Sequence, residues 1–238
     1  MKCNFIMGFM MIKKALGVAL LCSIGVAAQA VTVDMRHEYV DNGQNKDRVS
    51  VSHRFANGFG FSVEAKWRSG GDKQDQPFSD FIGNGHEESV SWLFRPWGKH
   101  FALTPSFNIE SNDSRSIYKP GLRAQYSFDS GIYVAARYRH DYTRYPSNAG
   151  RDDDKVNRVD TWVGYVYNDW RVELNYLYKH SDHNIRQNNK KGEDEYNAKV
   201  AYKIDKNWAP YAEVGNVTGS KNTDERQTRY RVGVAYSF

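Results

Sequence analysis

Three short clusters carry side chains that could do chemistry. "GHEES" at 85–89 offers His86, Glu87 and Glu88, but a zinc-binding HExxH pair needs a second histidine one helical turn on, and none stands there. "SDH" at 181–183 sets serine, aspartate and histidine side by side. Neighbours in an extended chain point opposite ways, so the three cannot form a nucleophile–base–orienter relay by themselves. "RDDDK" at 151–155 has carboxylates for calcium, but three consecutive acids lack the alternating ligand spacing of a calcium loop. No catalytic or metal site is expected, and no cofactor.

The arginines and lysines behave differently, because they recur at every second residue. Arg137 and Arg139, Arg229 and Arg231, and Lys66 and Arg68 each stand two apart, with an apolar or aromatic residue between. A two-residue period puts all such cations on one face of a β-strand and the apolar residues on the other. Val33, Met35 and Tyr39 alternate with Asp34, Arg36 and Glu38 in the same way. So do Phe59, Phe61, Val63, Ala65 and Trp67 with Gly60, Ser62, Glu64, Lys66 and Arg68.

Twelve segments of about ten residues follow this pattern. They run roughly 33–39, 48–55, 59–68, 87–96, 101–110, 117–128, 132–143, 158–167, 170–180, 195–204, 208–216 and 228–238. Ten residues is the length of a tilted strand crossing a bilayer. Short connections ("NG" 57–58, "WGKH" 97–100, "DSG" 129–131, "ND" 168–169, "DKN" 205–207) alternate with longer polar ones at 41–47, 69–86, 111–116, 144–157, 181–194 and 217–227. Aromatics gather at both strand ends: Phe59, Trp97, Phe101, Trp170, Trp208 and Phe238 beside the short turns, and Tyr39, Trp67, Tyr142 and Tyr178 beside the long loops. A secreted β-sandwich also alternates, but has no reason to sort aromatics into two belts. The expectation is an all-β fold, a 12-stranded antiparallel transmembrane β-barrel.

Residues 1–30 read as a secretory signal. Lys2, Lys13 and Lys14 precede an apolar run over 15–27, and "AQA" at 28–30 is a small-x-small cleavage site. Residues 31–238 then form one outer-membrane barrel domain. Cys3 and Cys22 leave with the signal, so the mature chain has no thiol for disulfides or metals. The basic total of 33 against 28 acids falls by three lysines with the signal, so bulk charge gives no argument for a nucleic-acid partner.

On this face assignment the barrel interior receives seventeen cations and ten anions. The cations are Arg36, Arg48, Arg54, Lys66, Arg68, Arg95, Lys119, Arg123, Arg137, Arg139, Arg158, Arg171, Lys179, Lys199, Lys203, Arg229 and Arg231. The anions are Asp34, Glu38, Glu64, Glu87, Glu110, Asp141, Asp160, Glu173, Glu195 and Glu213. A barrel of twelve strands is wider than the side-chain-filled eight-stranded type and narrower than a wide porin. Strands one and twelve must meet at closure, so strands six and seven lie across the lumen. Arg36, Arg48, Arg229 and Arg231 therefore make one basic track, and Lys119, Arg123, Arg137 and Arg139 an opposing one. Successive inward residues are about 6.8 Å apart, comparable with the acidic groups of a uronic-acid chain. Tyr133, Trp162 and Tyr211 also face inward, where they could stack on sugar rings.

The whole mature chain resembles the oligogalacturonate-specific porin family (the KdgM type) and its sialic-acid channel relatives. "RYRHDY" at 137–142, "APYAEVG" at 209–215 and the final "RYRVGVAYSF" carry the likeness. The resemblance implies a small, monomeric, twelve-stranded channel with a basic lumen for acidic oligosaccharides. The expected function is passive, anion-selective diffusion of such sugars, surrounded by outer-membrane lipid. A sialic-acid channel and a phospholipase-like barrel enzyme are the alternatives. The enzyme needs a serine–histidine pair at the lipid boundary, and the alternation places none there.

Overall fold

The structure, a computed structural model, describes residues 31–73 and 75–238. The signal expected over 1–30, with both cysteines, lies outside the described residues. Twelve strands follow one another: β1 (Thr32–Val40), β2 (Asn45–Arg54), β3 (Phe59–Arg68), β4 (Ile82–Trp92), β5 (Phe101–Asn112), β6 (Arg115–Ser127), β7 (Ile132–Arg144), β8 (Asp154–Tyr167), β9 (Trp170–Ser181), β10 (Gly192–Tyr202), β11 (Trp208–Thr218) and β12 (Arg226–Ser237). Each pairs antiparallel with its sequence neighbours, and β1 closes on β12 from Thr32↔Ser237 to Val40↔Arg229. The expected fold class is the observed one.

The barrel is inside-out relative to a soluble protein. Met35, Leu122, Val163, Leu174 and Val232 are exposed on its outer face, while Glu38, Lys119, Arg139, Asp141 and Asp160 are buried. Closure pairs both edges of every described strand, which a hydrocarbon environment requires of any spanning sheet. The aromatic belt at the short-turn end forms as expected. At the short-turn end Trp97 packs on Phe101, Trp170 on Tyr202 and Trp208 on Tyr236, with ring centroids 4.6–4.8 Å apart. Tyr236 also meets Phe238 edge-on.

The short turns are stitched to the next hairpin. Gly58 and Gly131 both sit at φ +88°, and a Cβ on either would fall within about 2.3 Å of a neighbouring carbonyl oxygen. That room lets Leu93 N donate to Gly58 O and Val166 N to Gly131 O. In the β10–β11 turn, Asn207 N and Trp208 N donate to Asp205, holding its carboxyl below the usual range.

The strands extend further at the long-loop end than the alternation suggests. Backbone pairing continues where one face has ceased to be apolar, because the ladder does not need lipid to persist. Two expected long loops are consequently tight. β1 and β2 are joined by 41–44, and β5 and β6 by 113–114, where Asn112 Oδ1 accepts from the backbone N of Ser114 and Arg115. β4 starts at Ile82 rather than 87, β8 at Asp154 rather than 158, and β10 at Gly192 rather than 195. β4 ends at Trp92 and β10 at Tyr202, so Arg95 and Lys203 lie in turns rather than in the wall.

Candidate functional site: the charged lumen

Alternation puts all eight residues of the two expected tracks on the inner face, but most of them do not stand free. Arg48 bonds Asp34 at 2.5 Å and Glu64 at 3.1 Å. Lys66 lies 3.2–3.4 Å from Glu64, Glu87 and Glu110, and Lys119 bonds both Glu87 and Glu110. One chain of alternating charge thus runs along the wall from β1 to β6. A second runs from β9 to β12 and on to β1: Lys179–Glu195–Arg229–Glu213–Arg231–Glu38, with contacts of 2.6–3.8 Å. Arg139 grips Asp141 through two nitrogens at 2.6 and 2.8 Å. Asp160, only 1% exposed, is shared by Arg137 and Arg158.

Two of the eight differ. Among the described residues Arg36 makes no ion pair, and its Nε is buried without a partner. Arg123 lies over the Trp162 ring, 5.1 Å from its centroid, with Arg137 at 5.3 Å. Among the described residues Lys199, outside the expected tracks, is likewise without a carboxylate partner, as are Arg54 and Arg68 at the two ends of the wall. Lys199 is directly opposite Glu213, but Glu213 is held by Arg231 at 2.7 Å and Lys199 rests 4.0 Å from the Tyr211 centroid. Arg231 wins that competition because its planar fork serves two carboxylates at once, Nη1 donating to Glu213 and Nε to Glu38, where lysine is a point charge. Among the described residues, no carboxylate lies within ion-pair distance of Arg36, Arg123 or Lys199.

The earlier start of β8 and β10 changes the inner charge count as well. Asp154 and Glu193 join the wall, Glu193 pairing Lys179 at 3.1 Å and Arg186 at 2.9 Å, and Lys46 of the longer β2 joins it 3.5 Å from Glu38, while Arg95 and Lys203 leave it. The seventeen-to-ten count therefore overstates the excess. Alternation alone could not show this, since these acids lie beyond the apolar stretch that marks a crossing.

The three chemistry-like clusters disperse. Glu87 points inward to Lys119 while His86 and Glu88 pair with each other, at 2.7 Å, on the outer face. Ser181 Oγ donates to both oxygens of Asp154, and Tyr142 Oη donates to Asp153 at 2.6 Å. Tyr142 and Tyr145 N together hold the Asp153 carboxyl below its usual range. Asp153 and Asp154 are thus committed to different partners.

The sequence pattern of the family described as "Oligogalacturonate-specific porin protein (KdgM)" matches residues 24–238. The chain belongs to that family. It is 42% identical over 234 residues to the oligogalacturonate-specific porin KdgM of Dickeya dadantii (strain 3937), covering 94% of this chain and 99% of the relative. A solved KdgM porin matches at 34% identity and TM-score 0.67, over 87% of this chain and 99% of that one. A solved NanC porin matches in fold, with TM-score 0.73 and 18% identity, over 87% of this chain and all of its own. A barrel of the KdgM type is an outer-membrane porin, which places the apolar outer face in that membrane.

Two inward tyrosines of this porin are laid against the wall by cross-strand glycines. Tyr133 pairs across the sheet with Gly164 and Tyr211 with Gly233. A Cβ on Gly164 would lie 2.1 Å from the Tyr133 ring, and one on Gly233 2.4 Å from the Tyr211 ring. Each ring therefore lies flat over a glycine, covering bare backbone, as aromatics do over strand glycines elsewhere. Tyr133 Oη also donates to Glu173 and accepts from Arg171 Nε. Gly164→Ala should lift the Tyr133 ring off the wall, break its bond to Glu173 and lower single-channel conductance. Gly164→Ala with Tyr133→Ala should restore it. An unchanged conductance in the single variant would show that the ring does not border the conducting path.

Proposed function

We propose that this chain is a passive, anion-preferring channel for acidic oligosaccharides of the oligogalacturonate type. The observation that carries this reading is the set of inward cations left without carboxylate partners in a wall whose other charges are paired. The porin named for oligogalacturonate in Dickeya dadantii supports the substrate class. A fixed positive field between low-dielectric walls concentrates anions, and paired arginines along the wall offer weak, exchangeable contacts that do not trap a passing carboxylate. Trp162 and Tyr211 offer apolar faces for the sugar ring between those contacts. Diffusion down a gradient needs neither cofactor nor catalytic residue. One chain closes the whole lumen, so a monomer is sufficient for transport. Residues 1–30 direct export and are removed, with residues 31–238 as the inserted domain and the short turns on the periplasmic side.

Proteoliposomes test this directly. Trapped oligogalacturonate should leave protein-containing vesicles faster than a neutral oligosaccharide of equal length, with the difference shrinking in molar salt as the field is screened. Equal rates for the two sugars at low salt would leave a sieve without charge preference and overturn the reading.

A further inference from the structure

Of the described inward cations without a carboxylate partner, Arg54 stands at the short-turn mouth and Arg68 at the exposed long-loop end of β3; the other three share one level between them. Arg36 lies four residues from the short-turn end of β1, Arg123 four residues from that of β6, and Lys199 three from that of β10. At about 3.4 Å per residue, all three stand roughly 10–14 Å along their strands. Around the barrel, β1, β6 and β10 are separated by five, four and three strands. Three points at one depth, spread over the full circumference, make a ring.

Almost all paired charges lie farther from that end. Arg139 is seven residues in on β7, Lys119 eight on β6, Lys179 nine on β9, and Arg229 eight on β12. The acids nearer the short-turn end are already occupied. Asp34 takes Arg48 and the Tyr211 hydroxyl, and Glu173 takes Arg171 and the Tyr133 hydroxyl. Below the ring, Arg54 donates to Gly58 O and Ser91 and adds positive charge at the mouth. A recess of about 540 Å³ opens beside Lys199, Tyr211 and Arg171 at this end.

We propose that Arg36, Arg123 and Lys199 form a single cationic ring that sets the selectivity of the channel and makes it electrically polar. The lumen is then two segments in series: a long-loop side whose charges are paired except for Arg68 at its exposed rim, and a positive one on the short-turn side. A salt current through such a pair depends on direction. Anions driven from the ring into the paired segment bring extra salt into it, and conductance rises. Anions driven the other way are withdrawn from the paired segment faster than cations can be supplied through the ring, and conductance falls. The ring also gives a travelling sugar acid one preferred stop, its carboxylate among the three cations and its ring over Tyr211 or Trp162. That last point rests on the channel function proposed above; the electrical asymmetry does not.

Oriented single channels in potassium chloride, with no sugar present, test the ring. Current should be larger at the polarity that drives chloride from the short-turn end toward the long loops. The asymmetry should be clear at 0.1 M salt, where the screening length is about 10 Å, and nearly gone at 1 M, where it is about 3 Å. Arg36→Gln, Arg123→Gln and Lys199→Gln together should bring the ratio of the two currents to about one and remove most of the anion preference. Each single Gln variant should remove part of it, which keeps the test usable if the triple variant inserts poorly. Arg139→Gln with Asp141→Asn deletes one self-contained pair at no net charge, and should leave the ratio unchanged. A symmetric wild-type current at 0.1 M would overturn the ring, as would an equal loss of asymmetry in the paired-charge variant. A channel that rectifies as described yet excludes sugar acids would keep the ring and overturn the proposed substrate.

Discussion

Replacing Arg36, Arg123 and Lys199 with glutamate is expected to invert the channel from anion-preferring to cation-preferring. Each substitution changes the lumenal charge by two, so the ring moves from three positive charges to three negative ones. The barrel should tolerate this, because none of the three cations holds a carboxylate that would be stranded. A carboxylate at position 36 would face Arg48 across β1–β2, and one at position 123 would face Arg137 across β6–β7. The same reversal at Arg137, Arg139, Arg229 and Arg231 is a poorer experiment. It would set new carboxylates against Asp160, Asp141, Glu195 and Glu213 and confound selectivity with folding. Reversal potentials in a potassium chloride gradient should change sign in the triple variant, most strongly at low salt. Retained anion preference would mean that ions do not sense these three side chains.

Asp160→Ala is expected to be the most destabilising single change in the wall. The carboxylate is 1% exposed and sits between Arg137 at 3.0 Å and Arg158 at 2.7 Å. Removing it leaves two guanidinium groups side by side with no counter-charge. Stripping one partner from a fully buried ion pair costs about 3–5 kcal/mol. Arg137 and Arg158 keep 26% and 18% of their side-chain surface exposed to the lumen, so a cost of about 2–4 kcal/mol is appropriate here. Denaturant unfolding of the barrel in vesicles would measure it. Asp129→Ala removes a carboxylate from the exposed turn pair with Lys99, and should shift the midpoint very little. The two readouts should also move apart in Asp160→Ala: stability falls while anion preference strengthens, since the lumen gains net positive charge. Equal unfolding midpoints for Asp160→Ala and Asp129→Ala would show that the Arg137–Asp160–Arg158 cluster does not hold the wall together.

The fold was legible in the sequence because a membrane barrel writes its two environments at alternate residues. Phe59 to Trp67 against Gly60 to Arg68 specifies both faces of β3 without knowledge of any partner strand. Register was partly legible too. A tight turn fixes it: the turn after β6 puts Arg123 opposite Arg137, and the turn after β10 puts Lys199 opposite Glu213. Pairings across a long connection were not, since loop length does not fix register. Arg137 opposite Asp160 spans residues 145–153, and Arg231 beside Glu38 depends on barrel closure. Opposition also differs from bonding. Lys199 loses Glu213 to Arg231 although Glu213 is its cross-strand neighbour, and only side-chain geometry decides that. A list of inward cations therefore describes the wall, whereas the subset without partners describes its field. Strand ends beyond the apolar band, such as Asp154 and Glu193, carry no alternation signal because both of their faces meet water or polar groups.

The reversal potential of the unmodified channel across a gradient of potassium oligogalacturonate, with no other anion present, tests the central claim most directly. If the sugar acid is the favoured carrier, it diffuses toward the dilute side and leaves that side negative. The cationic ring predicts that sign, with a magnitude that grows as the total salt is lowered. A dilute side that becomes positive would mean that potassium carries the current past an excluded sugar, and would contradict an acidic-oligosaccharide channel.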